Sequence, residues 1–285
     1  MASLKIIRKR ISSVKSTQKI TKAMKMVSAA KLRRAQEAAT AARPYAEKLT
    51  VLLHNVAARV AGSTHPLLQQ REERSIHALL VTADRGLCGG YNTNLISKAE
   101  ALVQERGRDH VRLTIVGRRG FDYFKKRGVD IVDKHINLFG GPGDALARSL
   151  AEQLAQEFAG GTTDGVYLIY SRFRSALVQI PTVEQLLPIT TETAAGDDAV
   201  DYRYEPDAAD LLDRLLRQYV TVLIHRAFLE ATASEHGARM TAMESATSNA
   251  SDMIDRLTLA MNRARQATIT KELMEIVGGA EALKG

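Results

Sequence analysis

From Pro206 to the last residue the chain contains no further proline, and Gly237 is the only glycine before Gly278. Over this stretch Leu212, Leu215, Tyr219, Val222, Leu229, Ala233, Met240, Met243, Ala250, Ile254, Leu257, Met261 and Ala264 recur at three- and four-residue steps. That spacing lines one face of an α-helix. About seventy residues at ~1.5 Å each predict a helix on the order of 100 Å long. Its apolar stripe needs a partner of similar length.

The other end of the chain offers one. Residues 3 to about 60 are strong helix formers with no glycine before Gly62 and a single proline, Pro44, which can kink a helix without ending it. Leu4, Ile7, Ile11 and Val14, then Ile20, Met24 and Val27, form a stripe interrupted by Ser16, Thr17 and Gln18. Two such stripes bury most simply against each other as an antiparallel coiled coil. The seam is built from Ala, Met and Thr with His236 and Gln18, small or soft residues that permit close approach at a cost in stability. A helical hairpin packed on its own domain is the plainer alternative, and the length of the helices counts against it. So long a helix also needs a second protein to cover what its own domain cannot.

Between the helices the period changes. SIHALLVTAD, VRLTIVG, VDIVDKHI and DGVYLIYSRF are short β-branched runs separated by helical stretches near 93–106, 118–127 and 144–159. Strand and helix in alternation predict an α/β layer with a largely parallel, Rossmann-like sheet. The expected organisation is a coiled-coil helix over 1–62, an α/β domain over 75–190 and a second coiled-coil helix over 206–285, with the polar TETAAGDDAVDYRYEPD as linker.

Composition narrows the function classes. Aromatics are only 5% and tryptophan is absent, which suits long helices better than an aromatic-rich sandwich. A single cysteine rules out an intrachain disulfide and suggests a reducing compartment. No stretch approaches the ~20 apolar residues that span a bilayer, so no direct membrane insertion is expected. Lys and Arg number 40 against 32 acids, and residues 1–36 hold no acid at all. That basic block faces something anionic or stays solvated. A transit peptide shares the bias, but here Lys outnumbers Arg and the helical pattern runs on past residue 36.

TADRGLCGGYN, residues 82–92, follows an apolar run and carries the only cysteine. Gly86, Gly89 and Gly90 read G-x-x-G-G, not the G-x-G-x-x-G of dinucleotide sites, and no GK[ST] follows. A nucleophilic Cys88 would need a base in reach; His77 is the nearest histidine in sequence, within a strand-like run. The competing reading is a glycine turn that lets the first strand enter its helix closely, with Cys88 as a small buried hydrophobe.

Three segments together carry a resemblance: SVKSTQKITKAMKMVSAAKLRRAQ, TADRGLCGGYN, and YEPD followed by RARQATITKELMEIVGGAEAL. In this order and spacing the chain resembles the gamma subunit of F-type ATP synthases along essentially its whole length. The resemblance implies a central rotor shaft with no active site and no cofactor of its own. Its implied partners are the alpha and beta subunits, the epsilon subunit and the membrane c-ring. By the same resemblance Met24 and Lys25 face the acidic lever of the catalytic subunit, and Arg239, Arg265, Gln266 and Thr270 meet its catch loops. Tyr202, Tyr204 and Glu205 stand at the foot near the c-ring, and Leu273, Ile276 and Val277 form an apolar tip. Plastid relatives carry an inserted cysteine pair that Cys88 alone cannot supply. A bacterial type is therefore implied, peripheral on the cytoplasmic face of the plasma membrane.

The main alternative is a basic coiled-coil protein that binds nucleic acid. Phosphate contacts would account for the N-terminal charge, but residues 1–44 contain no aromatic side chain to stack on bases.

Overall fold

A computed structural model describes residues 4–59, 65–138, 143–190 and 208–282. Helix α1 spans Leu4–Arg59 and passes through Pro44 without a break. Helix α5 spans Ala208–Ala282, 75 residues, and passes through Gly237 likewise. The chain forms two compact units, one of residues up to Val27 with those from Met240 onward, the other Ser28–Arg239.

In the smaller unit the two helices run antiparallel. Lys25 pairs with Glu244 at 2.6 Å, and Thr21 meets Thr247 at 2.7 Å, so one number rises as the other falls. The seam is as soft as its residues predict, but Ile20 and Val27, expected in its stripe, are 60% and 57% exposed. Ile7, Met243 and Ala250 are buried, yet Thr21 is buried beside them. The Thr247 hydroxyl lies 2.7 Å from both the Thr21 hydroxyl and the Met243 carbonyl of its own helix. Hydroxyls in a seam are tolerable only when paired in this way. Burial stops at Ala264; from Arg265 to Gly279 every described position of α5 is exposed. This follows from the pairing, because α1 runs out at Leu4 about where α5 reaches Ala264.

The larger unit is built on one five-stranded sheet. Its elements in chain order are β1 (Ile76–Val81), α2 (Tyr91–Arg106), β2 (Val111–Val116), α3 (Arg118–Phe124), β3 (Asp130–His135), α4 (Asp144–Ala159), β4 (Gly165–Phe173) and β5 (Gln179–Leu187). The strand order is β3-β2-β1-β4-β5. The first four strands are parallel, and β5 pairs antiparallel with β4 at the edge. Central β1 is buried at every residue, as a strand with both faces covered must be.

Alternation along β1 divides the core in two. Leu79 and Val81 join α4, the 49–56 stretch of α1 and the 212–231 stretch of α5 in one apolar cluster. Ile76, Ala78 and Leu80 join α2 and Phe124 in the other. The four strand-like runs and three helices expected from sequence are all present, but β5 was not among them. Pro181 lies within it and pairs opposite Ser171. A proline cannot donate to a ladder and is confined to edges, so the run around Ile180 and Val183 was legible only as an edge strand.

Candidate functional site

In an open α/β sheet, ligands bind at the carboxyl ends of the strands where the strand order reverses. Here that crevice lies between β1 and β4, and TADRGLCGGYN forms its β1 side. The loop is tied down by its own polar side chains. The Asp84 carboxylate accepts from the backbone N–H groups of Arg118, Asn137 and Leu138 at 2.8–3.0 Å. Thr82 Oγ1 accepts from Gly120 N–H at 3.0 Å, and Asn92 Oδ1 accepts from Ala83 N–H at 2.9 Å. Leu87 and Gly89 take positive φ, 63° and 57°, to turn the chain into α2.

The crevice itself is filled by α5. Ser234 donates to the Ser171 carbonyl of β4 at 3.0 Å, and Tyr91 donates to the Ala231 carbonyl at 3.2 Å. A side chain at Gly237 would meet Ala176 Cα at 3.3 Å, so the helix passes close against the β4–β5 turn. Arg239 then donates to the carbonyls of Gly86 and Arg85 at 3.3–3.4 Å. The loop meets a helix of the same chain through its Arg85 and Gly86 carbonyls, where a phosphate cradle would present amides. Titration calorimetry of the isolated chain with Mg-ATP is therefore expected to show no micromolar binding. A micromolar isotherm would mean that α5 yields the crevice.

Cys88 is buried on the α2 side of the sheet, and the Asn92 amide donates to its sulfur at 3.2 Å. Burial pushes its thiol pKa up, with Arg239 opposing, which is the reverse of an activated nucleophile. His77 is equally buried but belongs to the opposite face by strand parity. Its Nδ1–H donates to Glu157 Oε2 at 2.8 Å, leaving Nε2 to accept from Thr114 Oγ1 at 2.8 Å. Burial lowers the His77 pKa although Glu157 works to raise it. Cys88 and His77 thus belong to opposite faces of the sheet, so neither serves the other as base or nucleophile. Cys88→Ser should cost roughly 1–3 kcal/mol of stability where the new hydroxyl lacks a full set of partners. Turnover of the assembled complex should stay near wild type; abolished turnover with normal assembly would contradict the packed-thiol account.

Arg239, expected from the resemblance to face a catch loop, is turned inward instead. It is 7% exposed, and besides the two carbonyls its Nη1 meets Glu235 Oε1 at 2.6 Å and His236 Nδ1 at 3.2 Å. The resemblance that named Arg239 gave no sign that the α/β layer would stand there. Its neighbour His236 sits where the seam expectation placed it. Burial, then Arg239 and Lys31, push its pKa down to about 4. Since this value lies below the unfolded one, the contribution of His236 is present above pH 6.5 and is lost as pH falls toward 4. Allowing for partial exposure, the larger unit should lose about 1–2 kcal/mol between pH 7 and pH 5 from this group. Urea titrations at the two pH values should show a smaller loss in His236→Gln; an equal loss would assign the effect elsewhere.

The remaining candidates lie in the smaller unit. Met24 and Lys25 are half-buried, and Lys25 borders a groove of about 600 Å³ with Lys19, Lys22, Glu244 and Ser251. The Glu244 partner was not anticipated; antiparallel pairing of the acid-free stretch with α5 could have pointed to it. Arg265, Gln266 and Thr270 are exposed on the unpaired end of α5, with Leu273, Ile276 and Val277 beyond them. The foot residues Tyr202, Tyr204 and Glu205 lie outside the described residues.

Residues 3–283 match a family model described as ATP synthase. The chain is 52% identical over 284 residues to the ATP synthase gamma chain of Moorella thermoacetica, with 100% of each covered. It is 48% identical over 289 residues to that of Trichlorobacter lovleyi, again with 100% of each covered. Among solved structures it resembles a chain of the central stalk and c-ring of Tetrahymena thermophila mitochondrial ATP synthase, with TM-score 0.62 and 25% identity over 80% of this chain and 99% of that one. A chain of the Euglena gracilis mitochondrial enzyme shares the fold, with TM-score 0.68 and 20% identity over 98% of this chain and 94% of that one.

Proposed function

Since the chain belongs to the ATP synthase gamma chain family, a non-catalytic part of that enzyme, we propose that it is the rotor shaft coupling a membrane c-ring to the alpha/beta catalytic hexamer. The observation that carries the reading is the use of α5. One helix fills the place where an α/β domain would hold a ligand, and the same helix continues to a fully exposed end. A chain that closes its own ligand crevice and leaves about four helical turns uncovered is built for contact with other subunits, not for chemistry.

The shaft works by differential contact. Each orientation of an asymmetric helix pair favours a different conformation of the subunits around it, and the coupling is the difference in contact energy between those states. Lys25 keeps Glu244 at 2.6 Å with one of its three N–H donors. The other two can take a carboxylate of the catalytic lever without breaking the internal pair. Arg265, Gln266 and Thr270 offer donors on the unpaired helix, and the apolar end beyond them needs a hydrophobic bearing. In this division the helices over 1–62 and 206–285 act inside the hexamer. The domain over 75–190 and the foot at Tyr202, Tyr204 and Glu205 act beside the epsilon subunit and the c-ring.

The protein is thus part of a membrane-associated complex. Among the described residues no helix is long and apolar enough to cross a membrane, and the proposed attachment is through the c-ring, on the cytoplasmic face of a bacterial plasma membrane. Family membership leaves nothing for the nucleic-acid alternative to explain. Affinity purification of the tagged chain from solubilised membranes, with mass spectrometry, is expected to recover alpha, beta, epsilon and c subunits. Recovery of none of them would overturn the proposal.

A further inference from the structure

A shaft must be fixed in azimuth as well as in position. The apolar face of α5, including Leu216, Val220, Ile224 and Phe228, packs on the sheet in the larger cluster. Apolar burial sets how close the helix lies and, through interdigitated side chains, part of its rotation. Hydrogen bonds weaken steeply off their axes and resist twisting as well.

Such bonds form a row along α5. Arg226 donates to Glu184 Oε1 of β5 at 2.9 Å, and one turn later Glu230 Oε2 accepts from Phe173 N–H at 3.3 Å. A turn further on, Ser234 reaches the Ser171 carbonyl, and Tyr91 holds the Ala231 carbonyl between these last two. Arg239 ends the row and is the last residue of the larger unit. It makes the most bonds across to the layer, three of them at 3.3–3.4 Å to the Gly86 and Arg85 carbonyls. Its guanidinium is rigid and planar, and it is bonded at Nε, Nη1 and Nη2 to two loop carbonyls, Glu235 and His236. Glu235 and His236, on α5 itself, orient the fork, and the two loop carbonyls tie it to the layer.

We propose that Arg239 is a positioning residue that locks the rotation of α5 to the α/β layer, so that torque passes between them without slip. This deepens the rotor reading and rests on it. The TADRGLCGGYN loop then has a task that its missing phosphate motif left open: Arg85 and Gly86 present the carbonyls that receive the lock.

The test uses the assembled enzyme, held by its catalytic subunits, with a gold rod attached through Arg148→Cys on exposed α4 in a Cys88→Ser background. Angular variance of the rod during pauses at limiting Mg-ATP is compared among this parent, Arg239→Ala and Arg239→Lys. Hydrogen bonds from a charged donor hold well above thermal energy, so their loss should raise the variance about twofold. Lysine, which can hold one carbonyl but not the fork, should fall between. Only assembled molecules are observed, so a fold defect lowers their number without setting their variance. Unchanged variance in rotating Arg239→Ala molecules would overturn the lock alone. A parent complex that hydrolyses ATP with a motionless rod would overturn the rotor reading beneath it.

Discussion

Adding one methyl group at Gly117 is expected to abolish folding of the α/β unit. Gly117 links β2 to α3 with φ +99°, a region L side chains rarely adopt. A Cβ there would lie 2.1 Å from the Thr82 carbonyl oxygen and 2.6 Å from its carbon. These are backbone atoms, and they cannot move aside cheaply. Thr82 N–H donates to the Val116 carbonyl at 2.7 Å, and its hydroxyl receives Gly120 N–H, so any shift would separate β1 from β2 and release α3. Strain and broken bonds together should cost roughly 5 kcal/mol or more, a large share of the 5–15 kcal/mol that stabilises a typical domain. Gly128 is the control, with φ +68° and open space around a would-be Cβ. There alanine should cost only about 1–2 kcal/mol. Urea titration followed by circular dichroism should find Gly117→Ala unfolded or insoluble and Gly128→Ala folded. A cooperative Gly117→Ala transition near wild type would show that the β1–β2 connection is looser than described.

Replacing Arg265 and Gln266 together with alanine is expected to separate activity from stability. Both are exposed on α5 beyond the last residue that α1 covers. Surface changes at exposed helix positions usually stay within about 0.5 kcal/mol, and alanine is a strong helix former. The melting curve of the free chain should not move. In the complex, each side chain would lose hydrogen bonds to a neighbouring subunit, roughly 1–3 kcal/mol where one group is charged. At 1.4 kcal/mol per factor of ten, ATP hydrolysis and synthesis should fall about 10- to 100-fold. Wild-type turnover in the assembled double variant would remove these residues from the contact. A fall in the melt as large as the fall in activity would make them structural.

How far such residues could be read from sequence depended on the range of the interaction that decides them. The stripes from Leu4 and from Leu212 are local periodicities, and both produced the expected helices; Pro44 did not end α1. The glycines of residues 82–92 were legible as a turn, because conformational freedom is a property of the residue itself. What the loop does was not legible. Asp84 holds amides 34 to 54 positions away, and Arg239 reaches back 153 positions to Gly86. No local pattern encodes those distances. One relation could have been found sooner, since alternation along β1 puts His77 on the opposite face from the Ala78 and Leu80 cluster that receives Cys88. With Cys88 placed in that cluster by the fold, the parity separates the thiol from its supposed base.

The central claim is that this chain turns inside its complex. The direct measurement immobilises the assembled enzyme through its catalytic subunits, fixes a gold rod to the α/β unit at Arg148→Cys, and follows the rod as Mg-ATP is added. The account predicts stepwise rotation in one direction, with a rate that follows ATP concentration and stops when ATP is withdrawn. A rod that stays still while the same molecules hydrolyse ATP would contradict it.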